Sequence, residues 1–410
     1  MTAFHVMIKP NGPACNLRCK YCYYLSKSDL LGTNNSWKMS DSVLERFIQQ
    51  YIAAQASDRI DFQWQGGEPT LRGIGFFKKV LYYQKKHCPP VKIISNSLQT
   101  NGFFLDEEWC KFLSDNFFLV GISIDGPKYL HDCYRYDANH NSYFDKLCRS
   151  IENLKRFGVE YNTLTVVNNL NSQAPLEVYK FLRDEISSNY IQFIPCVEPV
   201  NFEKQSIEQM DENRAAYVGA KRCLPGFKDS CVTDWSVAPL DYGIFLATIF
   251  EEWVKNDVGK TFVRIFDNML GLWMGMPSSS CYFSQICGKA LAIEHDGEVY
   301  SCDHYVYPEH SLGNVKTGYL REMLFSEKQI DFGLGKADKL PEYCKSCKYL
   351  FACNGECPKN RFTKAPDGEY GLNYLCPGLK HFFEYIEPRM ESMAEAIRAG
   401  KPANSIMINK

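Results

Sequence analysis

Three cysteines near the N-terminus, Cys15, Cys19 and Cys22, constrain this 410-residue chain more than any other feature. Their C-x3-C-x2-C spacing can hold three corners of a [4Fe–4S] cube and leave the fourth iron without a protein ligand. Since a cluster that only transfers electrons usually has four protein ligands, an open iron indicates a cluster that binds another molecule. Zinc is the alternative, but zinc normally takes four ligands and no fourth cysteine or histidine adjoins the trio.

The composition narrows the class of protein. Hydrophobic residues make up 45% of the chain and charged residues 23%, and the net charge is −2. These values are ordinary for a soluble globular protein and give no reason to expect nucleic acid or an anionic membrane as a partner. The N-terminus lacks a signal-peptide pattern and no apolar run has membrane-spanning length. We therefore expect a cytoplasmic protein, where clustered cysteines favour metal ligation over disulfides.

Short apolar strands alternate with amphipathic helices through the N-terminal half. Strands are predicted over 4–8, 60–64, 92–99, 118–124, 161–167 and 190–195. One helix is predicted to begin at an N-cap, Ser40 or Asp41. Further helices are predicted over 76–86, 106–114, 143–157 and 175–187. This order predicts an α/β fold with a parallel sheet, here a partial (β/α)6 TIM-like barrel. In such folds the active site lies at the carboxyl ends of the strands.

A turn-rich loop, Gly66-Gly67-Glu68-Pro69, closes the second predicted strand. Two glycines allow a ligand to approach the backbone closely. Alone, the loop is best explained as a plain turn. Together with the cysteine trio, and at a strand end, it indicates a binding site.

A second group of eight cysteines lies towards the C-terminus. The group comprises Cys281, Cys287, Cys302, Cys344, Cys347, Cys353, Cys357 and Cys376. Eight thiolates match two cubes with four ligands each. Two zinc sites are the alternative, because the C-x2-C pair at 344–347 also suits zinc. The spacing shows eight ligands and leaves their partition open.

Taken together, these motifs resemble those of the radical S-adenosylmethionine (SAM) enzymes. In that superfamily the cysteine trio, with an aromatic residue before its last cysteine (here Tyr21), ligates the cluster, and SAM chelates the open iron. The resemblance implies SAM contacts at the strand ends, by Gly66, Gly67, Glu68, Ser123, Arg135 and Val197. Without the family, Ser123 would be interpreted as a buried hydroxyl and Arg135 as part of a surface ion pair.

The second cysteine group resembles the SPASM-type domain that follows the barrel in radical SAM enzymes that modify peptides. The resemblance implies that Cys281, Cys287, Cys302 and Cys357 hold the nearer auxiliary cluster. Likewise, it implies that Cys344, Cys347, Cys353 and Cys376 hold the farther one. Three [4Fe–4S] clusters are therefore expected.

The domain boundaries follow from these two resemblances. We predict a radical SAM partial barrel over 1–235 and a connecting helical segment over 236–275. The SPASM-type domain is predicted over 276–380, and a C-terminal helix and tail over 381–410. A weak helical signal at 206–220 lies in a polar stretch of the first domain.

Finer matches resemble the anaerobic sulfatase-maturating enzymes. The matching strings are QGGEPTL, SLQTNG, SIDGP, IPC, CDH, SLGNV and CNGECPKNR. Those enzymes oxidise a cysteine or serine in a sulfatase to Cα-formylglycine. The implied partners are an unfolded or nascent sulfatase peptide and an electron donor such as flavodoxin or ferredoxin. The sequence does not distinguish a cysteine-type from a serine-type substrate.

Asp303, directly after Cys302, is the catalytic base that this resemblance implies. Burial that raised the pKa of its carboxyl group would improve its match to a substrate thiol. His304 is the rival base, because imidazole titrates near neutral pH. Tyr24 is a further candidate for the substrate cavity. Without the family, Asp303 would be interpreted as a loop or cap residue.

Two other functions stay open at this point. A maturase of another peptide, for example one that forms thioether crosslinks, would carry the same cluster ligands. A non-enzymatic cysteine-rich scaffold that binds zinc belongs to a different class. The iron content of the purified protein distinguishes the zinc-binding scaffold from a radical SAM enzyme.

Overall fold

The computed structural model describes residues 4–32, 37–200, 210, 212 and 215–407. Most of the weak helical signal predicted at 206–220 lies outside these residues. The fold divides into two compact units, each built from separate stretches of the chain. The first contains the described residues of Met1–Ser123, Arg135–Tyr161 and Cys287–Gly335. The second contains those of Ile124–Tyr134, Asn162–Ile286 and Lys336–Lys410.

Short strands supply the framework of both units. In chain order they are β1 (His5–Ile8), β2 (Arg59–Trp64), β3 (Ile93–Thr100), β4 (Leu119–Ser123), β5 (Tyr161–Val167), β6 (Tyr190–Pro195), β7 (Phe262–Val263), β8 (Ala290–Ile293), β9 (Glu298–Tyr300), β10 (Ser311–Asn314), β11 (Thr363–Lys364) and β12 (Tyr370–Leu372).

The helices vary from four to 23 residues in length. In chain order they are α1 (Lys27–Leu31), α2 (Asp41–Ala54), α3 (Gly73–His87), α4 (Glu107–Asp115), α5 (Lys128–Tyr134), α6 (Phe144–Arg156), α7 (Pro175–Lys180), α8 (Pro239–Asn256), α9 (Arg264–Trp273), α10 (Leu320–Leu324), α11 (Glu327–Asp338), α12 (Glu342–Lys345), α13 (Leu350–Cys353) and α14 (Cys376–Arg398). Among the described residues, none of these helices combines the length and apolar character that crossing a bilayer requires.

The sheet of the first unit has the strand order β10-β9-β8-β1-β2-β3-β4. Strands β1 to β4 are parallel neighbours, and β8 also pairs in parallel with β1, with His5 opposite Ala290. Strands β8, β9 and β10 form an antiparallel meander. The sheet therefore joins the segment around Cys302 to the strand that precedes the cysteine trio.

The second unit contains β6, β7 and nearly all of β5, which are parallel neighbours. Strands β11 and β12 form a separate antiparallel hairpin. Helices α8 and α14 meet backbone to backbone near their N-termini. A Cβ atom on Gly243 would lie 2.2 Å from the Gly378 carbonyl oxygen. Only glycine fits there, because no side-chain atom can approach a carbonyl oxygen so closely.

The six predicted strands correspond to β1–β6, and their ends differ from the prediction by at most one residue. Helix α2 begins as predicted, because the Ser40 hydroxyl caps it by accepting a hydrogen bond from the Val43 N–H at 3.3 Å. One helix ends early: α7 stops at Lys180 and continues as a π-helical turn, Phe181–Glu185. Strands β7–β12 were not predicted. The boundaries predicted at 235, 275 and 380 stay a prediction.

Gly243→Ala is expected to lower the free energy of unfolding by at least about 2 kcal/mol, because the new methyl group must separate α8 from α14. Anaerobic thermal unfolding followed by circular dichroism measures this as a lower apparent unfolding temperature. Gly75→Ala is the matched control: Gly75 lies in α3 with open space around its Cα. That change should leave the unfolding temperature unaltered or raise it slightly. An unchanged temperature for Gly243→Ala would contradict this account of the helix contact.

Candidate active site

The loop that follows β1 carries Cys15, Cys19 and Cys22. The backbone N–H of Leu17 donates to the Cys15 sulfur at 3.4 Å, and that of Tyr24 is directed at the Cys22 sulfur. Burial raises the pKa of the Cys15 thiol, and the charges of Cys19 and Cys22 raise it further. The irons of a cluster would hold the three sulfurs as thiolates, a form that burial otherwise disfavours. The donor set therefore fits a cluster.

The Gly66-Gly67 turn packs directly on this cysteine loop. The Gly67 N–H donates to the Gly12 carbonyl at 2.8 Å, and the Glu68 N–H donates to the Ala14 carbonyl at 2.9 Å. A Cβ atom on Gly67 would lie 2.1 Å from the Ala14 oxygen, and Gly66 has φ +123°. Both glycines are thus required for the contact between the loops, whatever ligand binds. Their contact with SAM stays a prediction.

Glu68 is fully buried and organises the ends of β2 and β3. Its carboxylate accepts hydrogen bonds from the Thr70 N–H at 3.0 Å, the Thr100 hydroxyl at 2.8 Å and the Asn101 N–H at 2.8 Å. The Asn101 amide in turn lies 3.8 Å from the Cys15 sulfur. Because its carboxylate is engaged in this way, we expect any contact of Glu68 with SAM to come from the backbone.

Arg135 is buried beside the cysteine loop and does not lie on the surface. Its guanidinium carbon lies 5.3 Å from the centre of the Tyr21 ring, and both side chains are 6% exposed. Its positive charge lowers the pKa of the Cys22 thiol, which burial raises. Ser123, at the end of β4, accepts a hydrogen bond from the Gln99 amide at 3.0 Å. The SAM contacts predicted for Ser123 and Arg135 stay predictions.

Asp303 is buried and held at both carboxylate oxygens. The Tyr23 hydroxyl donates to its Oδ2 at 2.5 Å, and the Lys9 ammonium forms an ion pair with its Oδ1. Burial alone would raise the pKa of the Asp303 carboxyl, but the charges of Lys9 and His304 and the hydrogen bonds outweigh it and lower the pKa to about 2. The raised pKa that would have improved the match to a substrate thiol is therefore not present, and Lys9 is the largest influence that opposes burial.

Tyr23 lies beside Asp303, whereas the sequence offered Tyr24 as a candidate for the substrate cavity. The Tyr24 hydroxyl instead donates to Glu294 in a buried hydrogen bond, and the Lys9 ammonium lies 3.6 Å from the centre of the Tyr24 ring. His304 lies against Tyr23, with ring centres 5.0 Å apart. Sequence reasoning missed Lys9 and Tyr23; their only signal was position, directly after β1 and directly after a cluster cysteine.

Four cysteines of the second unit, Cys344, Cys347, Cys353 and Cys376, influence one another electrostatically. Burial raises the pKa of the Cys344 thiol to about 11, and Cys347 adds to the shift. Burial likewise raises the pKa of Cys376 to about 12, with Cys344 and Cys347 contributing. Burial and the charges of Cys376 and Cys344 raise the pKa of the Cys353 thiol. The four thiols are thus electrostatically linked in one part of the second unit, and thiols are the donors that an iron–sulfur cluster takes. Their role as ligands of the farther cluster stays a prediction.

The cysteines predicted for the nearer auxiliary cluster divide between the units. Cys287 and Cys302 belong to the first unit, and Cys281 and Cys357 belong to the second. Their grouping as one ligand set stays a prediction.

Val197, in the second unit, is fully buried just after β6. Its carbonyl accepts a hydrogen bond from the Lys359 ammonium at 3.0 Å, and the same ammonium pairs with Glu198 at 3.0 Å. Lys359 follows Cys357 by two residues. Within this unit, the strand end predicted to contact SAM is thus tied to the loop of a predicted auxiliary-cluster ligand.

Comparison with known proteins identifies the class. Residues 12–182 match the model of the Radical SAM superfamily, and residues 281–348 match an iron–sulfur cluster-binding domain, SPASM. The chain is 45% identical to the serine-type anaerobic sulfatase-maturating enzyme of Bacteroides thetaiotaomicron, over 98% of this chain and 94% of the relative. It is 35% identical to the cysteine-type enzyme of Clostridium perfringens (strain ATCC 13124), over 97% and 100%.

A solved structure gives the same result. Native anSMEcpe with bound AdoMet and Cp18Cys peptide superposes with a TM-score of 0.80 at 34% identity, over 96% of this chain and 99% of that one. The fold and its motifs therefore define a radical SAM enzyme with a SPASM domain. Within that class, the chain belongs to the anaerobic sulfatase-maturating enzymes. The predicted family, α/β fold class and enzyme class are confirmed.

Lys9→Met should raise the pKa of Asp303 by more than about one unit, because burial then acts without the opposing ammonium. In the native protein the depressed pKa contributes stability above the unfolded-state pKa of about 3.9, and that stability is lost as the pH falls towards about 2. In the variant, protonation should begin at higher pH. Infrared difference spectra of the protonated carboxyl group, with Asp303→Asn as the blank, measure the shift.

Lys9→Arg keeps the positive charge and serves as the control. Its Asp303 pKa should stay well below the ordinary value. An unchanged Asp303 pKa in Lys9→Met would show that Lys9 does not set the charge of the carboxylate.

Proposed function

We propose that this protein oxidises a serine side chain in a sulfatase peptide to Cα-formylglycine, with cysteine as the second candidate substrate. Family membership confirms the broader prediction, oxidation of a cysteine or a serine to formylglycine. Identity over nearly the whole chain carries the choice of serine: 45% to a serine-type relative against 35% to a cysteine-type one. The thioether-forming maturase and the zinc scaffold find no support among these relatives.

The cofactors are SAM and three [4Fe–4S] clusters, as predicted. We assign the SAM-binding cluster to Cys15, Cys19 and Cys22, whose loop the Gly66-Gly67 turn supports. When bound and reduced, this group supplies a 5′-deoxyadenosyl radical that removes one hydrogen atom from the substrate Cβ. The chain's own residues must then accept one proton and direct one electron away.

We assign the proton to Asp303. With a pKa of about 2, its carboxylate is ionised at neutral pH and is a weak base. Each carboxylate oxygen keeps a lone pair for the substrate beyond its bond to Tyr23 or Lys9. A base this weak poorly removes a proton from an intact hydroxyl or thiol. It readily takes the proton of a protonated aldehyde, so we place proton transfer after the second electron has left.

Removal of one hydrogen atom, one electron and one proton converts the serine CH2OH to an aldehyde and balances the reaction. An auxiliary cluster would accept this electron, and we assign Cys344, Cys347, Cys353 and Cys376 as the residues that would hold one such cluster.

We further propose an unfolded or nascent sulfatase peptide as the substrate form, a flavodoxin or ferredoxin as electron donor, and the cytoplasm as the location. A relative that binds the Cp18Cys peptide supports recognition of a short segment. All eighteen cysteines are free of disulfides, which suits a reducing compartment.

A serine-containing sulfatase peptide is expected to lose about 2 Da, and a cysteine-containing one about 18 Da, when either side chain becomes an aldehyde. Anaerobic holoenzyme with about twelve irons per chain, SAM and reductant is the required preparation. Mass spectrometry then compares the two peptides, and the serine peptide should react faster. Faster conversion of the cysteine peptide would contradict the proposed preference for serine. If neither peptide is converted, the proposed function is wrong.

Asp303→Asn should lower the formylglycine yield at least about 100-fold while 5′-deoxyadenosine still forms, because the amide cannot accept the proton. Parallel chromatography of both products gives the comparison. Asp331→Asn is the control, an exposed aspartate of α11 in the same unit. Equal loss of both products in Asp303→Asn would point to a structural role.

A further inference from the structure

Two cysteines outside every predicted cluster site, Cys223 and Cys231, lie in contact in the second unit. Their sulfur atoms are 3.8 Å apart, and the Cys231 thiol donates a hydrogen bond to the Cys223 sulfur. Cys223 is 1% exposed, whereas Cys231 is half-buried and can be reached from solvent. This pair has no part in the chemistry described above.

The backbone holds the two sulfurs together. The Cys231 N–H donates to the Arg222 carbonyl at 2.7 Å. This backbone hydrogen bond links Cys231 to the residue that directly precedes Cys223. A turn closes the intervening loop, with the Ser230 N–H donating to the Phe227 carbonyl at 3.1 Å. A disulfide requires a sulfur–sulfur distance of about 2.05 Å. The two sulfurs, 3.8 Å apart, must therefore move closer by roughly 2 Å for the bond to form.

The pair lies between two short strand pairings. Residues after Cys231 run along the segment after β6: the Val200 N–H donates to the Cys231 carbonyl at 3.0 Å, and the Thr233 N–H donates to the Glu198 carbonyl at 2.9 Å. That segment starts with Val197, a predicted SAM contact.

On the other side, the chain before Cys223 pairs with β11. The Lys364 N–H donates to the Ala216 carbonyl at 2.9 Å, and the Val218 N–H donates to the Lys364 carbonyl at 2.9 Å. The Cys223 thiol itself donates to the Tyr217 carbonyl at 3.2 Å. A covalent bond between the two sulfurs would fix both pairings to each other.

We propose that Cys223 and Cys231 form a reversible disulfide by exchange with a small-molecule disulfide of the glutathione class. Exchange begins at Cys231, whose sulfur displaces one thiol from the reagent and forms a mixed disulfide. The Cys223 sulfur then attacks the Cys231 sulfur and displaces the second thiol. Two protein thiols are oxidised, one reagent disulfide is reduced to two thiols, and the two protein protons pass to the released thiolates.

Exposure sets this order, because Cys231 is partly exposed and Cys223 is 1% exposed. The hydrogen bond between the sulfurs lowers the pKa of the Cys223 thiol and raises that of the Cys231 thiol. It ends once Cys231 carries the reagent, so these pKa shifts do not set the order of the two steps. Cys133, in contrast, is exposed and its thiol donates to the Tyr129 carbonyl at 3.0 Å.

Anaerobic holoenzyme is treated with oxidised glutathione, alkylated after denaturation, digested and examined by mass spectrometry. The expected product is a peptide pair linked through Cys223 and Cys231, about 2 Da lighter than the two free-thiol peptides together, and lost again on treatment with dithiothreitol. Iron content should stay unchanged. Recovery of both cysteines as separately alkylated peptides, or of Cys231 as a stable glutathione adduct, would overturn the proposal.

Cys133→Ser is the matched control and should leave the yield of the linked peptide unchanged. Cys223→Ser should stop the reaction at the Cys231–glutathione adduct, because the second sulfur is missing. The native-chain measurement stands by itself if that variant folds poorly. A linked peptide that joins either cysteine to a different partner would equally refute the assignment.

Discussion

The first unit depends on a contact between two backbones. The Gly67 and Glu68 N–H groups donate to carbonyls of the cysteine loop, and the approach is so close that a side chain at Gly67 would overlap the Ala14 oxygen. Because the contact involves main-chain atoms, it fixes the cysteine loop relative to the end of β2 without using any metal ligand. The buried Glu68 carboxylate accepts a hydrogen bond from the Asn101 N–H, directly after β3. The side-chain amide of Asn101 in turn donates to the Cys15 sulfur. The loop is therefore organised in the polypeptide itself.

A second constraint joins Lys9 to Asp303 across almost 300 residues of sequence. The β1–β8 pairing makes the contact possible, since it brings the segment containing Cys302 against the strand that ends before Lys9. The ion pair keeps the buried carboxylate charged, and Tyr23 adds a hydrogen bond from the residue next to Cys22. Asp303 is thus positioned from two sides, by the first strand and by the cysteine loop, and both supports belong to the same unit.

Local patterns predicted β1–β6 well, because each is an apolar run bounded by turn residues and followed by an amphipathic helix. Strands β8–β10 escaped prediction because they are three or four residues long and lie among cysteines whose spacing dominated the interpretation. The candidate cysteine sets and Asp303 were predicted from motifs. Motifs did not identify Lys9 and Tyr23, because these residues contact Asp303 only when segments distant in sequence come together. The same omission concerns the pKa of Asp303: the effect of burial was considered, whereas the Lys9 ammonium that lowers this pKa was not.

In the proposed reaction, the low pKa of Asp303 determines when proton transfer to its carboxylate is favourable. Before oxidation, a serine hydroxyl or a cysteine thiol is a far weaker acid than this carboxyl group, so transfer would be strongly uphill. A raised pKa would have narrowed that gap and favoured early deprotonation of a thiol. After the hydrogen atom and the electron have left, the substrate oxygen belongs to a protonated aldehyde, a stronger acid than a carboxylic acid. A carboxylate kept charged by Lys9 then suffices, and it serves a hydroxyl substrate as well as a thiol because the acidity of the intact group no longer matters.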